Sequence, residues 1–327
     1  MSFIAIFVAL LIEQARPLAR ANAIQQTLRG WVRWVGRNFD AGRPQHGWLT
    51  WSIAVLVPSL GVLAVHWLLV EMVGWPAAVV WNIMVLYLTL GFRQFSHHFT
   101  EIREALEAGD EEQARRLLAQ WQQMEVAGLP RGEIVRQVIE YSVIAAHRHV
   151  FGVLAWFSVL SALGLGPAGA VFYRLSEYVP RYWQHKVETS AQPVSAALRD
   201  AANLAWAVVD WLPARITAMG FAVVGSFEEA IESWRSHEQF SPRDNDGVIL
   251  AATAGAISLR LGRAAVPGGP SSTGAALEGV IDDAGGTVPL GQEPELGHLR
   301  TVVGLVWRSV VMWMILLALL TLARLLG

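Results

Sequence analysis

The chain is patterned in long apolar blocks separated by polar connections. Ser2–Ile12 is apolar but short, a first helix that needs burial against its neighbours. Trp51–Val73 and Ala77–Phe92 are longer apolar runs joined by Gly74-Trp75-Pro76. So short a link makes them an antiparallel hairpin, with Arg93 returning to the side on which the first began. From Gln94 to Ala146 the pattern becomes amphipathic. Ile102, Ala105 and Leu106 mark one helical face, ended by Gly109. Asp110 stands as the N-cap of the next helix, with Glu111 and Glu112 in its first turn. Ala114, Leu117, Leu118 and Trp121 continue it. Pro130 then opens a helix that turns Ile134, Val138 and Tyr141 inward.

The stretch Ile139–Arg174 is the expected centre. It is amphipathic through His149, then uncharged until Arg174, the length and polarity of a membrane span. His147, Arg148 and His149 lie where it enters the bilayer. Gly164, Gly166, Pro167 and Gly169 interrupt it, and irregular backbone at membrane depth needs other helices around it. Ser176–Ala202 mixes charges with aromatics, and Leu204–Val224 is apolar but holds Asp210, Pro213 and Arg215. Gly247–Gly262 is rich in Ala and Gly, Arg263–Gly297 reads as a mobile loop, and Val302–Leu326 closes the chain as a membrane helix.

The expected fold is therefore all-α: a polytopic membrane helix bundle with a cytoplasmic helical subdomain. Its expected divisions are N-terminal membrane helices with a basic loop (1–93), the cytoplasmic helical subdomain (94–146), central membrane or re-entrant helices (147–262), a flexible loop (263–298) and a C-terminal membrane helix (299–327).

Composition supports a membrane class. Of the 327 residues 54% are apolar and 16% charged, against ~25% charged in soluble domains. Several of the fifteen tryptophans, among them Trp48, Trp51, Trp75, Trp156 and Trp307, sit at the edges of apolar runs. Arg16, Arg20, Arg29, Arg33, Arg37 and Arg43 follow the first helix against only Glu13 and Asp40, which assigns that segment to the cytoplasm. Positive charge after the apolar run also argues for an uncleaved helix over a signal peptide, despite Ala21-Asn22-Ala23. The expected location is the bacterial inner membrane, crossed several times, with membrane lipid as a partner. A net charge of −2 and no sustained basic stretch exclude nucleic acid, and the absence of cysteine excludes thiolate chemistry.

Asp210 and Arg215 form the densest polar cluster in an apolar setting, where an unpaired charge costs about 2.5–3.5 kcal/mol. One reading is a structural ion pair that pins two helices. The other places Arg215 on a phosphate or carboxylate. His147-Arg148-His149 reads either as an interfacial cluster facing headgroups or as part of a site, with Glu140 two turns earlier. No metal site is expected. His97 and His98 are adjacent and point apart on a helix, and no His-x-x-x-His pair occurs. No phosphate-binding glycine loop is present either, so a nucleotide needs an unorthodox site.

Several stretches together resemble the CobD/CbiB family of cobalamin-biosynthesis membrane proteins. Leu86-Tyr87-Leu88-Thr89-Leu90-Gly91-Phe92-Arg93 resembles the family's Y-x-T-L-G-L-R, and Gly109-Asp110 with Ala114-Arg115 its G-D-x-x-x-A-R. Gly166-Pro167-Ala168-Gly169-Ala170 with Tyr173-Arg174 is similar to G-x-P-G-A-x-x-Y-R, and Leu212–Arg215 with Thr217-Ala218 to P-A-R-L-T-A. Ser241-Pro242, Asn245 and Gly247, then Ala254-Gly255-Ala256 and Arg260-Leu261-Gly262, resemble S-P-N-x-G, A-G-A and R-L-G.

The resemblance implies ATP-dependent amide formation between adenosylcobyric acid and an aminopropanol or its phosphate, with ATP and magnesium as cofactors if that activity is retained. Taken with the polar clusters, it leaves Arg93, Glu140, His147, Arg148, Tyr173, Arg174, Asp210, Arg215, Asn245 and Asp246 as ligand-binding candidates, the ligand being a corrinoid or another anionic amphiphile. No residue is assigned a catalytic role. Departures from the family pattern bear on catalysis. Family acids fall here on Ile144, Arg148, Trp206 and Ala207, and N-T-L-D is replaced by Leu175-Ser176-Glu177-Tyr178. His147-Arg148 before Phe151, Trp156-Phe157 and Asp210–Arg215 resemble the related AmpE proteins of cell-wall and β-lactamase signalling. That gives an alternative: a non-catalytic signalling or ligand-binding membrane protein.

Overall fold

The computed structural model describes residues 2–15, 23–122, 128–189, 194–261 and 291–326. Among these the protein is all-α, with no β-strand. The helices are α1 (Ser2–Ala15), α2 (Ala23–Phe39), α3 (Pro44–Met72), α4 (Trp75–Thr89), α5 (Phe92–Glu107), α6 (Glu111–Gln122) and α7 (Arg131–Ala146). A π turn (His147–Phe151) joins α7 to α8 (Gly152–Ala162). Then come α9 (Ala168–Thr189), α10 (Ala196–Val224), α11 (Phe227–Phe240), α12 (Asn245–Ala256) and α13 (Leu296–Leu326).

Among the described residues four helices are long and apolar enough to cross a membrane: Pro44–Met72, Arg131–Ala162, Ala196–Val224 and Leu296–Ala323. Phe3–Ala15 and Trp75–Thr89 are apolar but shorter. On α3 the residues Leu56, Val57, Leu60, Trp67 and Leu68 are exposed, as are Val311, Ile315, Leu316, Leu319 and Leu320 on α13. Such surfaces need lipid. The span Arg131–Ala162 is far more enclosed, 61% buried over its apolar window against 17% for α3, which suits a central helix.

The helix that Pro130 opens runs on through the π turn to Ala162. The last helix starts at Leu296, six residues before the apolar run suggests, because Glu295 N–H donates to the His298 ring at 2.9 Å and closes the first turn. Helix α11 is an element that the apolar pattern did not mark. Most of the loop expected at 263–298 lies outside the described residues.

The chain forms two compact units. The first comprises Met1–Phe92, Arg148–Pro213 and Leu317–Gly327; the second comprises Arg93–His147 and Ala214–Leu316. In the first, α1 packs on α4, α2 on α3, α3 on α9, and α8 on α9. Gly74, at φ +99°, caps the turn between α3 and α4. Proline inside a helix removes one N–H and frees the carbonyl four residues back. At Pro58 that carbonyl belongs to Ala54, and the Trp31 indole N–H donates to it at 3.2 Å. At Pro213 it belongs to Val209, and the Trp156 indole N–H donates to it at 3.0 Å. Both open carbonyls are therefore met by a tryptophan from another helix, as an apolar environment requires.

In the second unit α6 packs on α7, α7 on α12, and α11 on α12. Asp110 caps α6 by accepting from the Gln113 N–H at 2.9 Å, as expected. Gly255 lets α12 press on α11: a Cβ there would lie 2.2 Å from the Glu229 carbonyl oxygen. Ala218, Val248 and Ala252 form a buried cluster covered by Trp234.

Candidate functional site

In the first unit the polar centre is built where α8, α9 and α10 meet. Helices α8 and α9 approach closely because glycines face them. A Cβ on Gly169 would lie 2.1 Å from the Trp156 carbonyl oxygen, and one on Gly152 would lie 2.1 Å from the Tyr173 ring. Tyr173 is thereby buried and aimed at α10, where its hydroxyl donates to Asp210 Oδ1 at 2.8 Å. The Trp206 ring, one turn before Asp210, packs on Tyr173 with centroids 5.4 Å apart. Arg148 also meets this ring, its guanidinium carbon lying over it 5.9 Å from the Trp206 centroid. The π turn carries this arginine; such single turns often occur at functional sites.

Arg174 follows Tyr173 and donates to Glu177 at 3.0 Å. Arg181 engages the same carboxylate, which is 2% exposed. His149 lies within electrostatic reach of Arg148, Arg174 and Arg181.

The second unit holds a separate cluster. Arg215 is buried and donates to Asn245 Oδ1 at 2.6 Å and to Glu238 Oε1 at 2.7 Å. The Trp234 indole N–H holds the other Glu238 oxygen at 3.1 Å. Asp244 caps α12 through the Gly247 N–H at 2.9 Å, with the His237 ring 3.3 Å away. A Cβ on Gly247 would lie 2.0 Å from that ring, so the glycine of the S-P-N-x-G-like stretch makes room for His237. Burial opposes ionisation of Asp244, but His237 and the Gly247 N–H outweigh it and hold its carboxyl below the ordinary value. His147 pairs with Thr217 at 2.9 Å, and Glu140 receives Arg136 at 2.9 Å. Asp246 lies partly buried in the first turn of α12.

Of the sequence candidates, Arg148, Tyr173, Arg174 and Asp210 thus belong to the first cluster, and Arg215 and Asn245 to the second. Asp210 and Arg215 are both buried, as expected, and each has a partner on another helix. Glu140 meets Arg136, one turn before it, and His147 meets Thr217. Arg93 lies in α5, its side chain outside the described ones. Glu238, Trp234 and Glu177 were not singled out. The signal for the first two was the amphipathic run Phe227–Phe240, in which Trp234 and Glu238 stand four apart.

The CobD/CbiB family model matches residues 3–280. The chain belongs to the CobD/CbiB family. A relative named cobalamin biosynthesis protein CobD, from Stutzerimonas stutzeri (strain A1501), is 30% identical over 284 residues, covering 86% of this chain and 84% of the relative. One of the same name from Chromobacterium violaceum is 31% identical over 180 residues, 55% of this chain and 54% of its own. No solved structure matches significantly. The AmpE-like alternative finds no support among these relatives.

ATP and magnesium, which the family resemblance implies, can be tested against this CobD/CbiB chain's own donors. Among the described residues no three His, Asp or Glu side chains group as a metal site would need. Asp210 faces Tyr173, Glu177 is held by two arginines, Glu140 by Arg136 and Glu238 by Arg215. These donors do not fit a divalent cation.

Proposed function

We propose that this chain is a multi-pass inner-membrane protein of cobalamin biosynthesis that binds an anionic corrinoid intermediate without ligating it. The pathway follows from the family and from relatives named for cobalamin biosynthesis. The crossing of the membrane is supported by four long apolar helices, and the cytoplasmic side of the α1–α3 connection by its arginines.

The observation that carries the binding reading is the contact between Arg148 and Trp206. Both stand where the family pattern has acids, so a guanidinium on an indole replaces groups that could hold magnesium. A guanidinium binds carboxylate or phosphate directly, with no metal between. Arg148 supplies that charge; Tyr173, whose ring packs on Trp206 and whose hydroxyl is held by Asp210, keeps the Trp206 side of the site in place.

The test uses membranes from a strain that lacks its own CobD and expresses this chain. The expected result is saturable retention of adenosylcobyric acid, lost on Arg148→Gln, with no ATP-dependent adenosylcobinamide and no restored corrinoid growth. Turnover or restored growth would return the family's ligation to this chain. Absence of retention in folded protein would remove the corrinoid reading.

A further inference from the structure

The cluster around Arg215 in the second unit is assembled by three helices. Arg215 lies on α10, Trp234 and Glu238 lie one turn apart on α11, and Asn245 opens α12. Asn245 Oδ1 takes one arm of the guanidinium at 2.6 Å and so holds the fork in place. The other arm donates to Glu238 Oε1 at 2.7 Å, and the Trp234 indole N–H donates to Glu238 Oε2 at 3.1 Å. Each oxygen of this carboxylate therefore has its own donor, one cationic and one neutral.

The two donors are positioned independently of the acid they hold. The Trp234 ring packs on Ala218 of α10 and on Val248 and Ala252 of α12, all three fully buried. Arg215 stands one turn before Ala218 and is tied to α12 through Asn245. Glu238 has no such backing. Its side chain is 37% exposed, against 10% for Arg215. A carboxylate at that exposure regains water when it turns outward, whereas an enclosed guanidinium must always have an anion. The cradle has to be occupied, but its occupant is exchangeable.

A structural ion pair accounts for the contact but not for where its members come from. Arg215 and Asn245 belong to stretches that resemble the CobD/CbiB pattern, Leu212–Arg215 and Ser241–Gly247. Helix α11, which brings Glu238, carries none of the resembling stretches. The family-like part of the cluster is thus the guanidinium and the amide that orients it, and the acid is an addition from a neighbouring helix.

We propose that Arg215, Trp234 and Asn245 form a carboxylate-binding site, closed from within by Glu238 until a carboxylate-bearing ligand takes its place. Arg215 and Trp234 each hold one oxygen of the incoming group, Asn245 keeps the guanidinium oriented, and Glu238 turns outward into water. One anion replaces another, so the charge of the cradle does not change. The site uses none of the residues of the corrinoid proposal, so either can fail without the other.

The test uses the full chain in phosphatidylcholine nanodiscs, with propionate as the probe and potassium chloride at equal ionic strength as the reference. Melting temperature is the readout, and circular dichroism confirms that each variant is folded. Propionate should stabilise wild-type protein saturably. Glu238→Gln should melt lower without propionate and reach half-saturation at a concentration roughly tenfold lower, because a tethered carboxylate no longer competes at its own effective concentration. In the Glu238→Gln background Arg215→Lys should abolish the response. Trp234→Phe in that background changes no charge and should raise half-saturation by roughly tenfold, the scale of one hydrogen bond to a carboxylate. If wild type responds no more to propionate than to chloride, well above the concentrations that saturate Glu238→Gln, Glu238 is a fixed partner and the proposal is overturned. If wild type and Glu238→Gln saturate together, or folded Glu238→Gln gives no response, the cradle is no binding site. If inorganic phosphate saturates the site at a lower concentration than propionate, the ligand is a phosphate compound and the carboxylate assignment falls.

Discussion

Arg148 lies over the indole of Trp206, with 5.9 Å between the guanidinium carbon and the ring centroid. The two residues are far apart in the chain and meet only in the folded structure. The pair is worth about 0.5–2 kcal/mol, depending on how dry it is. A double-mutant cycle with Arg148→Met and Trp206→Leu, read from thermal melts in detergent, should show coupling of that size. Additive effects would mean that the two residues merely lie near one another.

The proline kinks make a second prediction. Trp156→Phe removes the donor to the Val209 carbonyl, which Pro213 has already deprived of its helical partner. A buried unsatisfied carbonyl costs about 1–3 kcal/mol. The melting temperature should fall, and Pro213→Ala should recover part of the loss in the Trp156→Phe background by restoring the helical N–H. A Pro213→Ala change with the same effect in both backgrounds would dissociate the tryptophan from the kink.

Tyr173 and Asp210 test the polar centre. Tyr173→Phe takes away a hydroxyl that donates to a buried carboxylate. Asp210→Asn in the same chain should offset part of the resulting instability, because a neutral amide is less costly to bury than a carboxylate short of a donor. Gly152→Ala should be worse than either, since its Cβ would overlap the Tyr173 ring. Yield and monodispersity in gel filtration report all three.

Arg215 holds two partners on separate elements, Asn245 and Glu238. Arg215→Ala should lower folded yield, and Arg215→Lys should rescue it poorly, because one ammonium cannot reproduce the fork that reaches both. Equal yield for Arg215→Lys and wild type would show that charge alone suffices.

Acid stability should depend on Asp244. Its carboxyl lies below the ordinary value of 3.8 despite its burial, because His237 and the Gly247 N–H favour the anion. A depressed carboxyl stabilises the fold above its unfolded value and loses that contribution as pH falls through the folded one. Melting temperature should therefore drop below about pH 4, and Asp244→Asn should flatten that acid limb while retaining the helix cap. An unchanged acid limb would assign it to other groups.

Much of the helical framework was legible in the chain itself. Uninterrupted apolar runs mark spans, Gly74, Gly164 and Pro167 mark breaks, and Asp110 marks a cap, because each signal acts within a few residues of its effect. The burial of Asp210 and Arg215 was legible for the same reason: charge in an apolar run is costly wherever it packs. Their partners were not. Tyr173, Asn245 and Glu238 come from other helices, and periodicity within one helix says nothing of which neighbour faces it. The amphipathic α11 carries Glu238 yet has no long apolar run to announce it. Trp156 reads only as a tryptophan at the edge of an apolar run and Trp31 carries no mark of its own, until packing sets them on the carbonyls left open by Pro213 and Pro58. The π turn at His147–Phe151 likewise re-aims Arg148 toward Trp206 by a change of helical winding that residue spacing alone does not specify. Local patterning determined which segments are helices and which of their residues are costly to bury; only the tertiary structure decided how those costs are met, because hydrogen bonds and charges are satisfied in space and not along the chain.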